Sequence, residues 1–225
     1  MSGFENGSTN DDVGVERLSV VRAVLLDMDG TLVDSDAAVR RSWRIWAIEN
    51  GADPTAVLGI AFGIPAAETV RRTFPEWDEE RAVAQTRRQL ARECADVADV
   101  VATPGAHRLL TYLTERTLPW AIVTSASAEL AAARLGSARI DPPLLITVDD
   151  VTIGKPDPQG YLTAARRLNV STRDCLVVED SPAGVAAGRA AGALTAGLKG
   201  TDADLPLTDL NQLIDLLTAA RRDQR

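Results

Sequence analysis

Two aspartates spaced two residues apart, Asp27 and Asp29, follow the apolar run Val24-Leu25-Leu26 and precede a Gly30-Thr31 turn. Residues i and i+2 of a strand face the same side. The spacing therefore brings both carboxylates to one strand end, with Met28 turned away. Crowded carboxylates repel each other, and a bound cation would relieve the repulsion and keep Asp27 ionised at neutral pH. Such a pair suits a division of labour in which one carboxylate attacks and the other moves a proton. Taken alone, it equally describes two solvated acids that end a strand.

Three further polar features follow apolar runs in the same way. Thr124-Ser125 follows residues 119–123, and Glu179-Asp180 follows residues 175–178. Gly154-Lys155-Pro156-Asp157-Pro158 lies in the loop after residues 144–148. Each has a simpler reading: a helix cap for the hydroxyls, an acid-rich helix N-terminus, an exposed loop lysine. In a parallel sheet, however, all of them fall on one edge. The combined set is complete for phosphoryl transfer. Carboxylates bind Mg²⁺, a hydroxyl and a lysine neutralise phosphate oxygens, and a carboxylate attacks phosphorus.

The elements that must position these groups are legible from periodicity. Residues 18–26 read as a buried strand. Residues 36–103 read as helical throughout, without a convincing strand. They hold a helix over 37–50 with Val39, Trp43, Trp46, Ala47 and Ile48 on its apolar side. A short helix opens at Asp53-Pro54, and another spans 66–73. A long amphipathic helix over 78–101 carries Val83, Leu90, Cys94 and Val97. From Gly105 onward strands and helices alternate. Helices are expected at 106–114, 128–135, 158–168, 183–191 and 207–220, and a fifth strand at 193–196. The pattern implies an α/β fold: a doubly wound, Rossmann-like parallel sheet with an inserted helical cap domain. The expected division is a flexible tail over 1–17, a catalytic core over 18–33 and 105–225, and a helical cap over 34–104. Trp43 and Trp46 are expected to fill the cap core.

Composition narrows the partners. A net charge of -8 argues against a nucleic-acid partner, which would need a basic footprint. Cys94 and Cys175 fit neither a zinc site nor a disulfide framework, which points to a reducing, cytoplasmic setting. No secretory signal and no membrane-spanning run is evident. His107 is the single histidine, so a two-histidine metal site is excluded. The expected partner is a small phosphorylated metabolite, with the chain a monomer or small homo-oligomer.

Four stretches carry a family resemblance: Asp-Met-Asp-Gly-Thr-Leu-Val-Asp-Ser (27–35), Val-Thr-Ser-Ala (123–126), Gly-Lys-Pro-Asp-Pro (154–158) and Val-Glu-Asp-Ser-Pro-Ala-Gly (178–184). In this order they resemble the haloacid dehalogenase superfamily, in its phosphatase branch with a small helical cap, over about residues 20–200. The resemblance implies Asp27 as a nucleophile that forms an aspartyl-phosphate and Asp29 as general acid and then base. It implies Thr124, Ser125 and Lys155 as phosphate-binding groups. It further implies Mg²⁺ held by Asp27, Asp180 and the Asp29 carbonyl, with Glu179 a direct or water-mediated ligand. A dehalogenase would not need Asp29 as acid/base. A β-phosphoglucomutase, similar over the same span, has a histidine ten residues after its second aspartate, where this chain has Val39. A non-enzymatic binding protein on the same scaffold is the remaining alternative. The cap resembles sugar-phosphate and glycerol-phosphate phosphatases at Asp34-Ser35, Val39, Arg41, Trp43 and the Gly63-Ile64-Pro65-Ala66 turn. Relatives often carry histidine where Phe62 stands, which implies a less polar pocket. Arg41 is a candidate for contacting substrate or for clamping the cap.

Overall fold

The computed structural model describes residues 16–222. The expected tail over 1–17 falls almost wholly outside them, and its last two residues, 16 and 17, belong to a helical turn over 16–19. That turn also shortens the first expected strand. Leu18 packs into the core from the turn, and the strand itself, β1, covers only Ala23–Leu26. The chain enters it through a hydrogen bond from Arg22 N–H to Asp174 O (2.7 Å).

The main sheet has six parallel strands in the order β5-β4-β1-β6-β7-β8. These are β4 (Trp120–Val123), β5 (Leu145–Ile146), β6 (Cys175–Glu179), β7 (Leu194–Gly197) and β8 (Leu205–Pro206), with β1 near the centre. The sequence reading gave five strands. It missed β8, whose two residues are too short to show a period. It also made the strand over 144–148 too long, since Val148 already belongs to a 3₁₀ turn (Val148–Asp150).

The strands are buried on both faces, as parallel strands must be. Val24, Leu26, Ile122, Leu176 and Val178 face one layer, packing with Leu109, Leu113, Leu130 and Leu213. Ala23, Leu25, Ala121, Val123 and Val177 face the other, against Tyr161, Ala164 and Ala187. The first layer is built from α5 (Ala106–Glu115), α6 (Ala128–Ala138) and α9 (Leu210–Arg222). The second is built from α7 (Gln159–Arg167) and α8 (Pro182–Ala190).

Between β1 and α5 the chain leaves the sheet to form four helices, α1 (Asp36–Asn50), α2 (Pro54–Ala61), α3 (Ala66–Thr73) and α4 (Glu79–Ala95). Local chemistry fixes their ends. Asp53 caps α2 by accepting from Thr55 N–H, with Pro54 in the first turn, and Asp78 caps α4 by accepting from Arg81 N–H. Gly51 closes α1 at φ 73°, a left-handed conformation that suits glycine. The helices enclose their own core of Val39, Trp43, Trp46, Val57 and Val70. Phe74 stacks on Trp77 at 4.0 Å, and Trp46 meets both rings.

Three expectations fail in this region. Ile48 lies on the outer side of α1 at 61% exposure, and Val83 is also exposed. The long helix stops at Ala95 instead of running to 101. Beyond it, Val101–Ala102 (β3) pairs antiparallel with Val33–Asp34 (β2), so the region contains a strand after all. Past the helix end the chain is held by Arg41, which takes Asp96 and Asp99 as partners (2.7 and 2.9 Å), and by Ser137 Oγ against the carbonyls of Val97 and Val100.

Candidate active site

β1, β4 and β6 end on the same edge, because parallel strands share one polarity. Each run of buried aliphatic residues gives way there to polar groups. Asp27 N–H still bonds Val178 O (3.0 Å), so Asp27 leaves the sheet in register with Glu179. Thr124 N–H bonds Ile146 O (2.9 Å), and its Oγ1 accepts from Ala126 N–H (3.1 Å), turning the chain toward α6.

Lys155 reaches in from the loop after β5. Its Nζ lies 2.6 Å from Asp27 Oδ1, 2.6 Å from Glu179 Oε1 and 3.0 Å from Val123 O. Burial works against the Lys155 charge, but Asp27 and Glu179 overcome it and hold the ammonium well above its usual value. Asp27 is pushed well up from the ordinary carboxylate value, first by its own burial and next by Glu179, with Lys155 acting the other way.

Glu179 is fully buried. Its Oε1 also accepts from Tyr161 Oη (2.8 Å), and its Oε2 accepts from the N–H groups of Asp180 and Ser181 and from Ser181 Oγ. The seat is tight: a Cβ on Gly184 would overlap the Glu179 carboxylate. Asp180 meets Lys199 Nζ at 3.0 Å, and burial raises its pKa despite that partner. Gly30, at φ 83°, leaves room for the Asp180 carboxylate, which a Cβ there would overlap.

Among the described residues, Asp27, Glu179 and Asp180 are a group whose carboxylate oxygens lie within 4.8 Å of one another. Hard oxygen donors at this spacing suit a divalent cation such as Mg²⁺. The strain on Asp27 and Asp180 is of the kind such a charge would relieve. The oxygens of Glu179 already accept from several donors, whereas Asp27 and Asp180 have fewer, so the latter two are the better placed for direct contact.

Asp27, Asp29, Thr124, Ser125, Lys155 and Asp180 line one cavity of about 490 Å³, and Glu179 lies beneath its floor. The far wall comes from the helical insert: Val39, Trp43, Phe62, Ile64, Leu90 and Glu93. Trp43 thus has two surfaces, one in the insert core and one on the cavity. Phe62 is on the wall, with the Arg40 guanidinium 4.9 Å from its ring centroid. Arg41 is not among the lining residues: its guanidinium holds Asp96 and Asp99, in the stretch after α4.

Six charged residues lining the cavity escaped the sequence reading: Asp36, Arg40, Glu93, Arg134, Asp149 and Lys199. Arg134 and Glu93 stand singly on ordinary-looking helices, and Lys199 stands in a loop. Arg134 Nη1 lies 2.9 Å from Asp29 Oδ2, and Arg134 Nη2 lies 3.1 Å from Glu93 Oε1. No local pattern marks such residues. Only the pairing of α4 with α6 brings them together.

The haloacid dehalogenase-like hydrolase family matches residues 21–192. The chain belongs to that family. Hexitol phosphatase A of Escherichia coli is 40% identical over 172 residues, 76% of this chain and 80% of that protein. Validoxylamine A 7'-phosphate phosphatase of Streptomyces hygroscopicus is 34% identical, over 89% of this chain and 96% of that protein. β-Phosphoglucomutase of Clostridium difficile shares the fold at a TM-score of 0.81, covering 91% of this chain and 98% of that one, with 21% identity. The last likeness is one of fold alone. The chain is therefore a hydrolase of this family, an α/β enzyme with an inserted helical region. No helix among the described residues is long and apolar enough to cross a membrane.

Proposed function

We propose that this hydrolase is a Mg²⁺-dependent phosphatase of small sugar or polyol phosphates that works through an aspartyl-phosphate. Residues 18–33 and 105–225 form its catalytic core in this reading, and residues 34–104 its cap. The observation that carries the proposal is the opening of Asp27, Asp29, Thr124, Ser125, Lys155 and Asp180 onto one cavity. The names of relatives support the substrate class: a hexitol phosphatase and a 2-deoxyglucose-6-phosphate phosphatase.

Thr124, Ser125 and Lys155 bind the phosphoryl oxygens. A carboxylate oxygen of Asp27 attacks phosphorus, and the bond from phosphorus to the alcohol oxygen breaks. Asp29 gives its proton to that oxygen. Water then attacks the phosphorus of the aspartyl-phosphate and gives a proton to Asp29, which releases inorganic phosphate and restores Asp27 as a carboxylate and Asp29 as an acid. Asp27, Asp180 and the Asp29 carbonyl would hold Mg²⁺, with Glu179 orienting the set from behind. The cation supplies positive charge beside the transferring phosphoryl group. The insert wall excludes water from the closed cavity.

Val39 sits on that wall, where the resembling mutase has histidine, and it offers no proton-transferring group. This favours hydrolysis over isomerisation. A panel of hexitol, glycerol and hexose phosphates, with Mg²⁺ and with chelator, tests the reading. Mg²⁺-dependent release of inorganic phosphate is expected. Isomerised hexose phosphate without free phosphate would replace the reading with the mutase, and tight binding without turnover would replace it with a binding protein.

A further inference from the structure

A buried line of charges joins the helical insert to Asp29. Glu93, on α4, is buried and accepts from Arg134 Nη2. Arg134, on α6 of the sheet domain, has a side chain only 6% exposed. Its Nη1 holds Asp29 Oδ2 at 2.9 Å. The other oxygen, Asp29 Oδ1, accepts from Ser35 Oγ (2.6 Å), at the entry to the insert. Both oxygens of Asp29 are therefore held, one by the residue before α1 and one by a guanidinium that itself leans on α4.

A guanidinium is planar and donates in fixed directions, so it orients a carboxylate more strictly than an ammonium does. A buried guanidinium also needs its partners: removing either carboxylate leaves buried N–H donors unpaired. The position of Arg134 thus depends on Glu93, and Glu93 reaches it only with α4 packed on α6. No phosphate-binding or metal-binding role is required of either residue.

We propose that Arg134 is a positioning residue that aims the Asp29 carboxyl at the leaving oxygen, and that Glu93 makes this aim depend on the insert being seated against the sheet domain. The inference rests on the reading of Asp29 as acid/base given above. It makes the insert more than a wall. Seating it would complete the proton-transferring geometry along with excluding water.

The test compares two aryl esters under saturating Mg²⁺. p-Nitrophenyl phosphate has a leaving group that departs without a proton, whereas phenyl phosphate needs one. Read as kcat/KM, which covers only the steps up to release of the alcohol and not hydrolysis of the shared aspartyl-phosphate, Asp29→Asn should cost about 10²- to 10⁴-fold on phenyl phosphate and far less on p-nitrophenyl phosphate. Arg134→Gln should show the same selectivity, losing about 10- to 100-fold on phenyl phosphate alone. Arg134→Lys should recover part of that loss, and Glu93→Gln should show the pattern in weaker form. If Arg134→Gln does not fold, the double variant Glu93→Gln/Arg134→Gln leaves no unpaired charge between the two and carries the same expectation.

Equal losses on both esters, or no loss on either, would overturn the inference and reduce the line of charges to a structural one. If Asp29→Asn is selective and the Arg134 variants are not, positioning alone fails. If Asp29→Asn itself shows no selectivity, the acid/base reading fails and the inference with it.

Discussion

The sheet edge and the helical insert meet across one cavity but are built on opposite principles. At the edge, charges are packed against charges. Lys155 bridges Asp27 and Glu179 at 2.6 Å each, and Tyr161, Ser181 and backbone N–H groups take up the remaining capacity of Glu179. In the insert, rings are packed against rings: Trp43, Trp46, Phe74 and Trp77. The edge gathers its groups from loops far apart in sequence and holds them with directional bonds. The insert is one contiguous stretch held by apolar burial, which has no preferred direction. Directional bonding suits groups whose placement must be exact to a fraction of an ångström. Apolar packing tolerates substitution as long as volume is kept. In the reading proposed above, the chemistry thus falls on the rigid side and substrate choice on the adaptable side.

Substitutions on the two sides should therefore fail differently. The largest effect is expected at the edge. Asp27→Asn should lower turnover by about 10⁴-fold or more, as loss of a nucleophile does, while its thermal midpoint stays close to that of the parent protein. Phosphate release that persists in this variant with Mg²⁺ would remove Asp27 from the nucleophile's place.

In the insert the order reverses. Trp46 is fully buried among rings, and Trp46→Ala should cost about 3–5 kcal/mol of stability in denaturant titration. Among molecules that remain folded, the ability to turn over p-nitrophenyl phosphate should survive. A loss of turnover as deep as that of Asp27→Asn, in protein shown to be folded, would erase the contrast between the two regions.

The smallest effect concerns the boundary. Burial lifts Glu93 from 4.5 to about 7, against the pull of Arg134 and with a smaller push from Asp29. Between those values the folded protein keeps a proton that the unfolded chain has released, so stability should fall as pH rises through the window. Glu93→Gln should flatten the dependence by on the order of 2 kcal/mol between about pH 5 and about pH 7.5. An unchanged slope in the variant would assign the dependence to other groups.

How much was legible in the sequence follows the same division. Asp27, Asp29, Thr124, Lys155 and Asp180 stand directly after short apolar strands or in the loop beyond one. Local spacing and strand polarity were enough to bring them to one edge. The aromatic core of the insert was also legible, through the helical spacing of Trp43 and Trp46. Arg134 and Glu93 were not, because their role exists only in the contact between α4 and α6, and a lone arginine in an Ala-rich helix reads as surface. Ile48 and Val83 failed for a related reason: each fits an apolar face by period, but the packing of neighbouring helices determines which face is covered. The β2–β3 pair and β8 failed on length, since two residues carry no period.

The β2–β3 pair has a consequence for how such enzymes diversify. Thr103 N–H bonds Leu32 O at 2.9 Å, and Thr103 Oγ1 bonds Thr31 O at 2.6 Å, beside the pairing of Val33 with Ala102. The two crossings, distant in the chain, are neighbours in space and tied together. Seen from the sheet, everything between them is a hairpin tip. Its length and contents can change while β1 and the turn at Gly30 keep their register. The insert is in this sense a cassette with a fixed socket, exchangeable as a single block without touching the strand ends that carry Asp27, Thr124 and Asp180.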